Sequence, residues 1–390
     1  MIESCQACNG TRTEPFFRMN SIPISSCVLT DTKDEAAAFG RGDLELAVCH
    51  DCGFIQNQLF QSEFVDYTMP YEESQAFSPR FLAFQHELVS HLVEAYSLAG
   101  KTIFEVGAGK GAFLEMICRA ANATGVGIDP AADAGRVSDD LDITLIREFF
   151  DSSRTDLTGA LIVCRHTLEH ISPVGDFVEN VVESARRTAD SVTFFELPDT
   201  ERILAEGAFW DIYYEHCSYF TPTSLSYLFR SRGFEILQLE KAFDDQYLLL
   251  EAAVGSIDDS IDREQVAHIV SGCRAFGEGA RREVDRWRDL VDNSVAWDQT
   301  VVVWGAGSKA VGFLSALERD SQIAAAVDVN PFKQGSFLPG SAHEIVSPES
   351  LSDLKPDLVI VMNPIYTAEI GKSLADLGLY PRLEALGASA

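Results

Sequence analysis

KTIFEVGAGKGAFLEMI, residues 101–117, has the pattern of a short apolar strand, a glycine-rich turn and the start of an amphipathic helix. Gly107, Gly109 and Gly111 allow the backbone to turn tightly and a ligand to approach the amino end of the helix. About twenty residues further on, the segment GVGIDP ends a second apolar strand in Asp129, where an acid suits a ribose diol. The pattern predicts a doubly wound α/β unit that binds a nucleotide-type cofactor.

The acid before the first glycine, Glu105, indicates which cofactor this is. A dinucleotide loop usually follows an uncharged strand end, because a carboxylate would repel a pyrophosphate. The sequence E-x-G-x-G-x-G resembles motif I of class I S-adenosylmethionine (SAM) methyltransferases. This resemblance implies that Glu105 lies near the ammonium-bearing methionine part of SAM and that Asp129 holds the ribose hydroxyls. It also implies that Phe149 and Phe150 line the adenine pocket.

Two C-x-x-C pairs stand near the amino terminus, Cys5 with Cys8 and Cys49 with Cys52. Each pair can offer two thiolates from one tight turn, and two such turns complete a tetrahedron around zinc. Protein ligands would then fill all four positions, so the site should be structural. We interpret His50, inside the second pair, as solvent-facing rather than as a ligand.

The formal net charge of −30 argues against nucleic acid and anionic membranes as partners. The chain starts without a basic region followed by an apolar run, and it contains no apolar run long enough to span a bilayer. We therefore expect a cytoplasmic protein, either a monomer or a homodimer, with a small-molecule substrate.

A third apolar strand, ALIVC, leads into a loop that carries His166, Glu169 and His170. In a doubly wound sheet this loop would lie at the ligand-binding edge. HTLEH also matches the H-x-x-E-H motif of inverted zinc peptidases, which needs a helix that presents both histidines on one face. Here the motif follows a strand directly, so a peptidase is the lesser alternative.

The segment WDIYYEHCSYF, residues 210–220, fits neither a helical nor a strand period. It places Tyr213, Glu215 and His216 just ahead of a predicted helix that begins after Thr-Pro and ends before Gly233. The alternative reading of this cluster is a packed aromatic patch with satisfied polar groups.

The cysteine pairs, the glycine loop and Y-x-E-H together resemble the sugar C-methyltransferases, over nearly the whole chain. These enzymes methylate C3 of nucleotide-linked 4-keto-6-deoxy sugars in branched-sugar and antibiotic biosynthesis. The resemblance implies that Tyr213, Glu215 and His216 surround the sugar. It also implies that His170 and, by a looser match, Tyr71 lie in the same site.

The expected reaction makes a C–C bond, which requires a carbanion stabilised as the enolate of a neighbouring ketone. The protein must supply a base and donors for the developing oxyanion. We predict that His216 is the base, that Tyr213 and His170 are donors, and that Glu215 orients the imidazole or binds a sugar hydroxyl. O- or N-methylation of another small molecule, and a binding module without catalysis, remain alternatives.

A second strand–glycine–helix pattern, TVVVWGAGSKAVGFLSAL, starts at residue 300. Gly305, Gly307 and Asp328 could mark an NAD domain, but Ala310 replaces the third glycine. The stretch NPFKQGSFLPG instead resembles the carboxy-terminal domain of the sugar C-methyltransferases, which helps to shape the nucleotide-sugar cleft. We predict that Lys309, Lys333 and Asn363 bind substrate, the two lysines through phosphates.

These patterns predict an α/β protein with a class I methyltransferase Rossmann-like core. We predict a zinc-binding domain over residues 1–72, the SAM-binding domain over 73–256, a helical connector over 257–297 and a smaller Rossmann-like domain over 298–390.

Overall fold

The structure is a computed structural model that describes residues 2–69 and 77–387, and its strands form three β-sheets. The strands are β1 (Thr13–Pro23), β2 (Arg41–Cys49), β3 (Ile55–Asn57), β4 (Thr102–Val106), β5 (Thr124–Ile128), β6 (Ile143–Ile146), β7 (Leu161–Arg165), β8 (Val192–Pro198), β9 (Ser218–Tyr219), β10 (Phe234–Ala242), β11 (Tyr247–Val254), β12 (Val301–Trp304), β13 (Ala325–Val327), β14 (Ile345–Val346), β15 (Leu358–Val361) and β16 (Arg382–Ala385). The α-helices are α1 (Lys33–Ala37), α2 (Pro79–Ala95), α3 (Ala112–Ala121), α4 (Val174–Ala185), α5 (Thr200–Glu206), α6 (Pro222–Arg230), α7 (Arg263–Ala296), α8 (Ser308–Leu317), α9 (Leu351–Leu354) and α10 (Thr367–Asp376).

The amino-terminal sheet is antiparallel, in the order β1-β2-β3-β9. Its last strand, β9, comes from far along the chain and pairs with β3 through Ile55–Tyr219 and Gln56–Ser218. The 210–220 segment is therefore fastened to the amino-terminal part of the chain at the point where it leads into α6.

The central sheet has the order β10-β11-β8-β7-β4-β5-β6, in which β4 to β8 run parallel and β11 pairs antiparallel with β8. Strand β8 is buried from Val192 to Leu197, as expected of a strand covered on both faces. The strand order reverses between β4 and β7. Ligands bind at the carboxyl ends of strands beside such a switch point.

A single helix, α7, connects the central sheet to the carboxy-terminal sheet. Its first turn is capped by Asp262, whose carboxylate accepts hydrogen bonds from the backbone of Glu264 and Gln265 at 2.9 and 3.1 Å. Phe276 and Trp287 are buried along its inner face. The predicted helical stretch is thus one continuous helix rather than a pair.

The carboxy-terminal sheet is parallel throughout, in the order β14-β13-β12-β15-β16, and it reverses between β12 and β15. The chain therefore has the predicted fold class, with a class I methyltransferase core and a second, smaller Rossmann-like unit. Over residues 2–69 and 77–387 we find no helix with the length and apolarity needed to cross a membrane.

Candidate active site

The carboxyl ends of both parallel sheets face one cavity of about 760 Å³, within the size range of small-molecule sites. The central sheet contributes Asp129 and His166, the carboxy-terminal unit contributes Lys309, and the amino-terminal part contributes Cys27 and Tyr67. Because all three parts of the chain line the same cavity, a ligand there would contact each of them.

The glycine loop forms one wall of this cavity. Gly107 has a φ of +72°, and a Cβ added there would lie 2.0 Å from Thr167 Oγ1 in the loop after β7. Gly111, at φ +79°, starts α3, and a Cβ on it would lie 2.7 Å from Val137 Cγ2. Only glycine satisfies both the backbone angle and the close approach at these positions.

Replacing Gly107 with alanine should strain the loop by about 1–3 kcal/mol and push Thr167 out of place. We expect the Kd for SAM, measured by calorimetric titration, to rise by at least about tenfold, equivalent to about 1.4 kcal/mol. Gly100→Ala is the matched control, because Gly100 has φ +70° but nothing within 4 Å of the added Cβ. Equal SAM affinity in both variants would contradict this assignment of the loop.

The two acids predicted to hold SAM occupy different environments. Asp129 lines the cavity and accepts backbone hydrogen bonds from Gly109 at 3.0 Å and Ala131 at 2.7 Å. Glu105 is 3% exposed, and burial raises its pKa to about 8. Its Oε2 has no hydrogen-bond partner among the described residues, but Glu105 lies behind the cavity wall formed by Val106 and Gly107 and does not line the cavity itself.

The two phenylalanines predicted around adenine differ in their packing. Phe149 lines the cavity and is 56% exposed, so its ring is available to stack on a base. The Phe150 ring packs against Phe104 and Phe177, with ring centroids 5.7 and 5.9 Å apart. Phe150 therefore belongs partly to the core, although it also contributes to the cavity wall.

Tyr213 is buried, and its hydroxyl donates to Asp211 Oδ1 at 2.9 Å. Asp211 also accepts from Arg202 at 2.5 Å and from Lys309. Burial alone would raise the pKa of Asp211, but Lys309 and Arg202 outweigh it and hold the pKa well below its usual range. Asp211 could not be identified from the sequence. Its carboxylate accepts the hydrogen bond of the Tyr213 hydroxyl, so this proton points to Asp211 and not toward an enolate oxygen.

Glu215 is held by the amino-terminal part of the chain rather than by an imidazole. Its Oε1 accepts from the Ser26 backbone N–H at 2.7 Å and from the Ser26 hydroxyl. Its Oε2 has no partner within the described residues. Of the two predicted roles for Glu215, this arrangement favours binding a substrate hydroxyl over orienting His216.

His170 and His216 pack edge to face, with ring centroids 4.7 Å apart. The Tyr213 ring contacts His216 in the same way at 4.8 Å. Burial, followed by the neighbouring His170, lowers the pKa of His216 to about 3. The His216 imidazole is therefore neutral near pH 7, with a lone pair available to accept a proton.

His166 is close to His170 in sequence but is not part of the His170–His216 contact. Its imidazole is charged. Its backbone is in the left-handed region at φ +47°, and its Nε2 lies 3.1 Å from Glu196 Oε1. Burial disfavours the charge, but Glu196 and Glu169 outweigh it and raise the pKa of His166 to about 9. His166 and His170 do not share a helix, since only Leu168–His170 forms a short 3-10 turn, so the geometry of a zinc peptidase is absent from this loop.

Tyr71 falls outside the described residues. Tyr67, four residues earlier, lines the cavity and donates its hydroxyl to the His170 carbonyl at 3.3 Å. Its ring also contacts the His170 imidazole, with centroids 5.8 Å apart. The sequence analysis did not single out Tyr67, because nothing in the local pattern distinguishes it from its neighbours.

The three residues predicted to bind substrate from the carboxy-terminal unit all line the cavity. Lys309 pairs with Asp211, and Lys333 Nζ donates to the Ala306 carbonyl at 3.2 Å. Asn363 exchanges side-chain hydrogen bonds with Gln246 of the central unit at 2.9 and 3.2 Å. These contacts join the two units around the cavity.

The four amino-terminal cysteines converge, with their sulfur atoms within 4.8 Å of one another. Cys5 Sγ lies 3.5 Å from Cys52 Sγ, and Cys8 Sγ lies 3.6 Å from Cys49 Sγ. Tetrahedral zinc with bonds of about 2.3 Å places sulfur atoms at close to this separation. His50 instead pairs with Glu14 at 2.9 Å, so it lies outside the cluster, half-buried rather than solvent-facing.

Comparison with known proteins identifies the class of enzyme to which this chain is similar. Residues 80–239 match the family model described as a methyltransferase domain, and residues 251–378 match the model described as a C-methyltransferase C-terminal domain. C-methyltransferase NovU of Streptomyces niveus is 28% identical over 393 residues, which covers 95% of this chain and 91% of NovU. The chain combines a methyltransferase domain with a C-methyltransferase C-terminal domain. It is a SAM-dependent methyltransferase.

Solved structures with similar folds cover about half of this methyltransferase. Magnesium protoporphyrin IX methyltransferase from Synechocystis is 14% identical, with a TM-score of 0.37 over 49% of this chain and 91% of its own. N-methyltransferase NodS from Bradyrhizobium japonicum is 15% identical, with a TM-score of 0.34 over 46% of this chain and 99% of its own.

The carboxy-terminal match also favours a methyltransferase role over NAD binding for the second Rossmann-like unit. In that unit Asp328 accepts backbone hydrogen bonds on both oxygens, in the same way as Asp129 in the central unit. Oδ2 accepts from Ala306 and Oδ1 from Asn330, each at 2.9 Å.

Proposed function

We propose that this methyltransferase deprotonates the carbon next to the ketone of a nucleotide-linked 4-keto-6-deoxy sugar, at C3, and methylates the resulting enolate. The observation that carries the proposal is the His170–His216 pair, which faces the same cavity as the SAM loop. O- and N-methylation use a lone pair already present on the acceptor. C-methylation requires a base at carbon, and a neutral buried imidazole suits that role.

The carboxy-terminal wall of the cavity has the chemistry to bind the diphosphate of such a substrate. Helix α8 begins at Ser308, and no side chain caps its amino end with a hydrogen bond. The positive end of the helix dipole therefore faces the cavity together with Lys309 and Lys333. Lys309 pairs with Asp211 and Lys333 Nζ lies 3.5 Å from Asp328, so it is the amino end of α8 that supports an anionic ligand at this wall.

The opposite wall suits the sugar. Glu215 Oε2 is unpartnered among the described residues and can accept a hydrogen bond from a sugar hydroxyl. Tyr213 donates to Asp211, so its hydroxyl oxygen can accept from substrate. His216 would take the proton from C3 while the electron pair moves onto the C4 carbonyl oxygen as an enolate, with His170 as the neighbouring donor.

SAM, when bound at Gly107, Asp129 and Phe149, supplies an electrophilic methyl group on a sulfonium centre. The chain's own contribution is to align the acceptor carbon and exclude water, which is the main requirement for a reactive donor of this kind. Zinc belongs to the same proposal as a structural ion on Cys5, Cys8, Cys49 and Cys52, since all four ligand positions would be filled by protein.

The proposal is tested by mass spectrometry of the purified protein with SAM and a panel of nucleotide-linked 4-keto-6-deoxy sugars in deuterated water. We expect one added methyl on carbon and, when SAM is omitted, deuterium at C3. The matched control is the same nucleotide sugar with a 4-hydroxyl, which cannot form the enolate and should neither exchange nor react.

Each alternative gives a different result in this assay. Methylation on oxygen or nitrogen without deuterium exchange would support an O- or N-methyltransferase. If no sugar on the panel exchanges or gains a methyl while SAM still binds, the sugar substrate proposed here is wrong.

A further inference from the structure

Glu169 is a buried carboxylate that faces three imidazoles. It is 2% exposed, and its Oε1 lies 3.7 Å from His166 Nδ1. A ligand atom from each of Glu169, His170 and His216 lies within 4.8 Å of the other two. Neither the family resemblance nor the sequence pattern assigned this residue a role, although it lies between the residues predicted to perform the chemistry.

Two polar atoms at this junction lack a partner among the described residues. They are Glu169 Oε2 and His170 Nδ1, and both are fully shielded from solvent. A buried carboxylate oxygen without a hydrogen bond costs about 1–3 kcal/mol or more, so such groups in native proteins usually have a functional explanation. Proton uptake by the histidine pair would supply the missing hydrogen-bond donor.

The neighbouring carboxylate Glu196 is already paired with other residues, which leaves Glu169 to interact with the His170–His216 pair. On the strand behind the loop, Glu196 binds Arg165 at 2.6 Å and His166 at 3.1 Å. Burial disfavours the ionised form of Glu169, but the interaction with protonated His166, 3.7 Å away, opposes burial, and the pKa of Glu169 is lowered. Glu169 is therefore an anion next to neutral His216.

The other titratable groups that face the pair come from two further segments. Glu215 and Tyr213 lie on the same stretch as His216, and burial raises the pKa of both side chains. On the same stretch, the negative charge of Asp211 is balanced by its ion pairs with Lys309 and Arg202. Tyr67 packs on His170 from the amino-terminal part. Among the described residues, Glu169 is the carboxylate with an oxygen within 4.8 Å of a ring nitrogen of both His170 and His216, so it is placed to balance a proton on the pair.

We propose that Glu169 is the positioning residue of the base: it holds the His170–His216 pair in place and stabilises the imidazolium formed when His216 accepts the C3 proton. This inference rests on the proposed function. In the step, the C3–H bond breaks, its electron pair passes to the C4 carbonyl oxygen, and the N–H bond forms on His216 beside the Glu169 carboxylate. The carboxylate remains ionised throughout, as an orienting group that stabilises the adjacent cation.

The test measures the imidazoles directly, without substrate. The chain is labelled with ¹³C-histidine, and the ring signals of His170 and His216 are followed by NMR from the lowest pH at which the fold is retained up to pH 9, with assignments from single His→Gln variants. Removing an opposite charge within a few ångströms should lower the pH at which the pair takes up a proton by about 1–3 pH units in Glu169→Gln. Glu169→Asp keeps the charge and should recover part of this difference.

Glu251→Gln is the matched control. Glu251 is also a buried carboxylate, 4% exposed, and it binds a different imidazole, His91, at 2.7 Å. This substitution should leave the titration of the His170–His216 pair unchanged. It therefore separates a local charge effect from a general effect of removing a buried carboxylate.

Catalysis provides the second measurement. Deuterium exchange at C3 should slow by about 10²- to 10⁴-fold in Glu169→Gln, with KM for the sugar changed far less than kcat. An unchanged titration of the pair in folded Glu169→Gln would overturn the inference. If that variant does not fold, an unchanged titration in folded Glu169→Ala, which also removes the charge, would overturn it instead.

Metal analysis adds a further decisive outcome. A second metal ion per chain, beyond the one on the four cysteines and lost in Glu169→Gln, would also overturn the inference, because a metal would occupy the lone pairs that the base requires. If wild-type protein exchanges no sugar proton but the titration shifts as expected, the proposed substrate is wrong and the role of Glu169 in the histidine pair stands.

Discussion

Replacing His216 with asparagine is expected to lower kcat for C-methylation by about 10³-fold, the typical contribution of a positioned general base. The imidazole lines the cavity between His170 and Tyr213, and burial together with His170 keeps it neutral before substrate binds. Asparagine keeps a polar group of similar reach but cannot accept a proton from carbon. The same substitution should abolish deuterium exchange at C3 when SAM is omitted, which places the loss at the deprotonation step.

The affinity for SAM distinguishes this effect from a collapsed site. The cofactor loop at Gly107 lies on the central sheet, whereas His216 lies on the segment fastened to β3 through β9. We therefore expect the Kd for SAM in His216→Asn to stay within about twofold of wild type, a difference of about 0.4 kcal/mol.

Tyr214→Phe is the matched control for His216→Asn. The Tyr214 hydroxyl accepts a hydrogen bond from the Gln61 backbone at 3.1 Å, so its loss should cost about 1 kcal/mol of stability and leave kcat unchanged. Full exchange activity in His216→Asn together with its loss in His170→Asn would reverse the assignment and make His170 the base.

Local chemistry explains why the glycine loop and its flanking strands could be predicted from the sequence. Gly107 and Gly111 are required by backbone angles set within a few residues, and Asp129 follows its strand directly. Such positions are encoded in a short window, where strand, glycine turn and helix follow one another. The class of fold follows from the same windows, because alternating strands and helices produce a parallel sheet.

The substrate half depends on contacts between residues far apart in sequence. Ser26 binds Glu215 from 189 positions away, and Lys309 reaches Asp211 across 98 positions. No periodicity or motif carries that information, so the role of Asp211 and the anchoring of Glu215 could not be predicted. The donation from Tyr213 to an enolate stays a prediction, and its partner Asp211 could not be identified because it is defined only by the pairing of the two units.

The second large effect is expected from the proposed zinc site. Cys49→Ser should remove the metal, because three thiolates and a neutral hydroxyl no longer supply the tetrahedral set that zinc prefers. Structural zinc contributes about 10 kcal/mol or more of apparent binding free energy, which is comparable with the total stability of a domain. We expect the variant to lose zinc by elemental analysis and to show a lower melting temperature or no cooperative transition.

Loss of this ion should also abolish activity, although the cysteines lie outside the cavity. Cys49 ends β2, β2 pairs with β3, and β3 pairs with β9 through Ile55–Tyr219. Unfolding this sheet therefore releases the segment that carries His216, together with the Ser26 contact to Glu215. Cys273→Ala is the control, because Cys273 is a buried thiol of α7 outside the cluster, and it should retain zinc and activity. Wild-type zinc content and stability in Cys49→Ser would show that the four cysteines do not hold a structural metal.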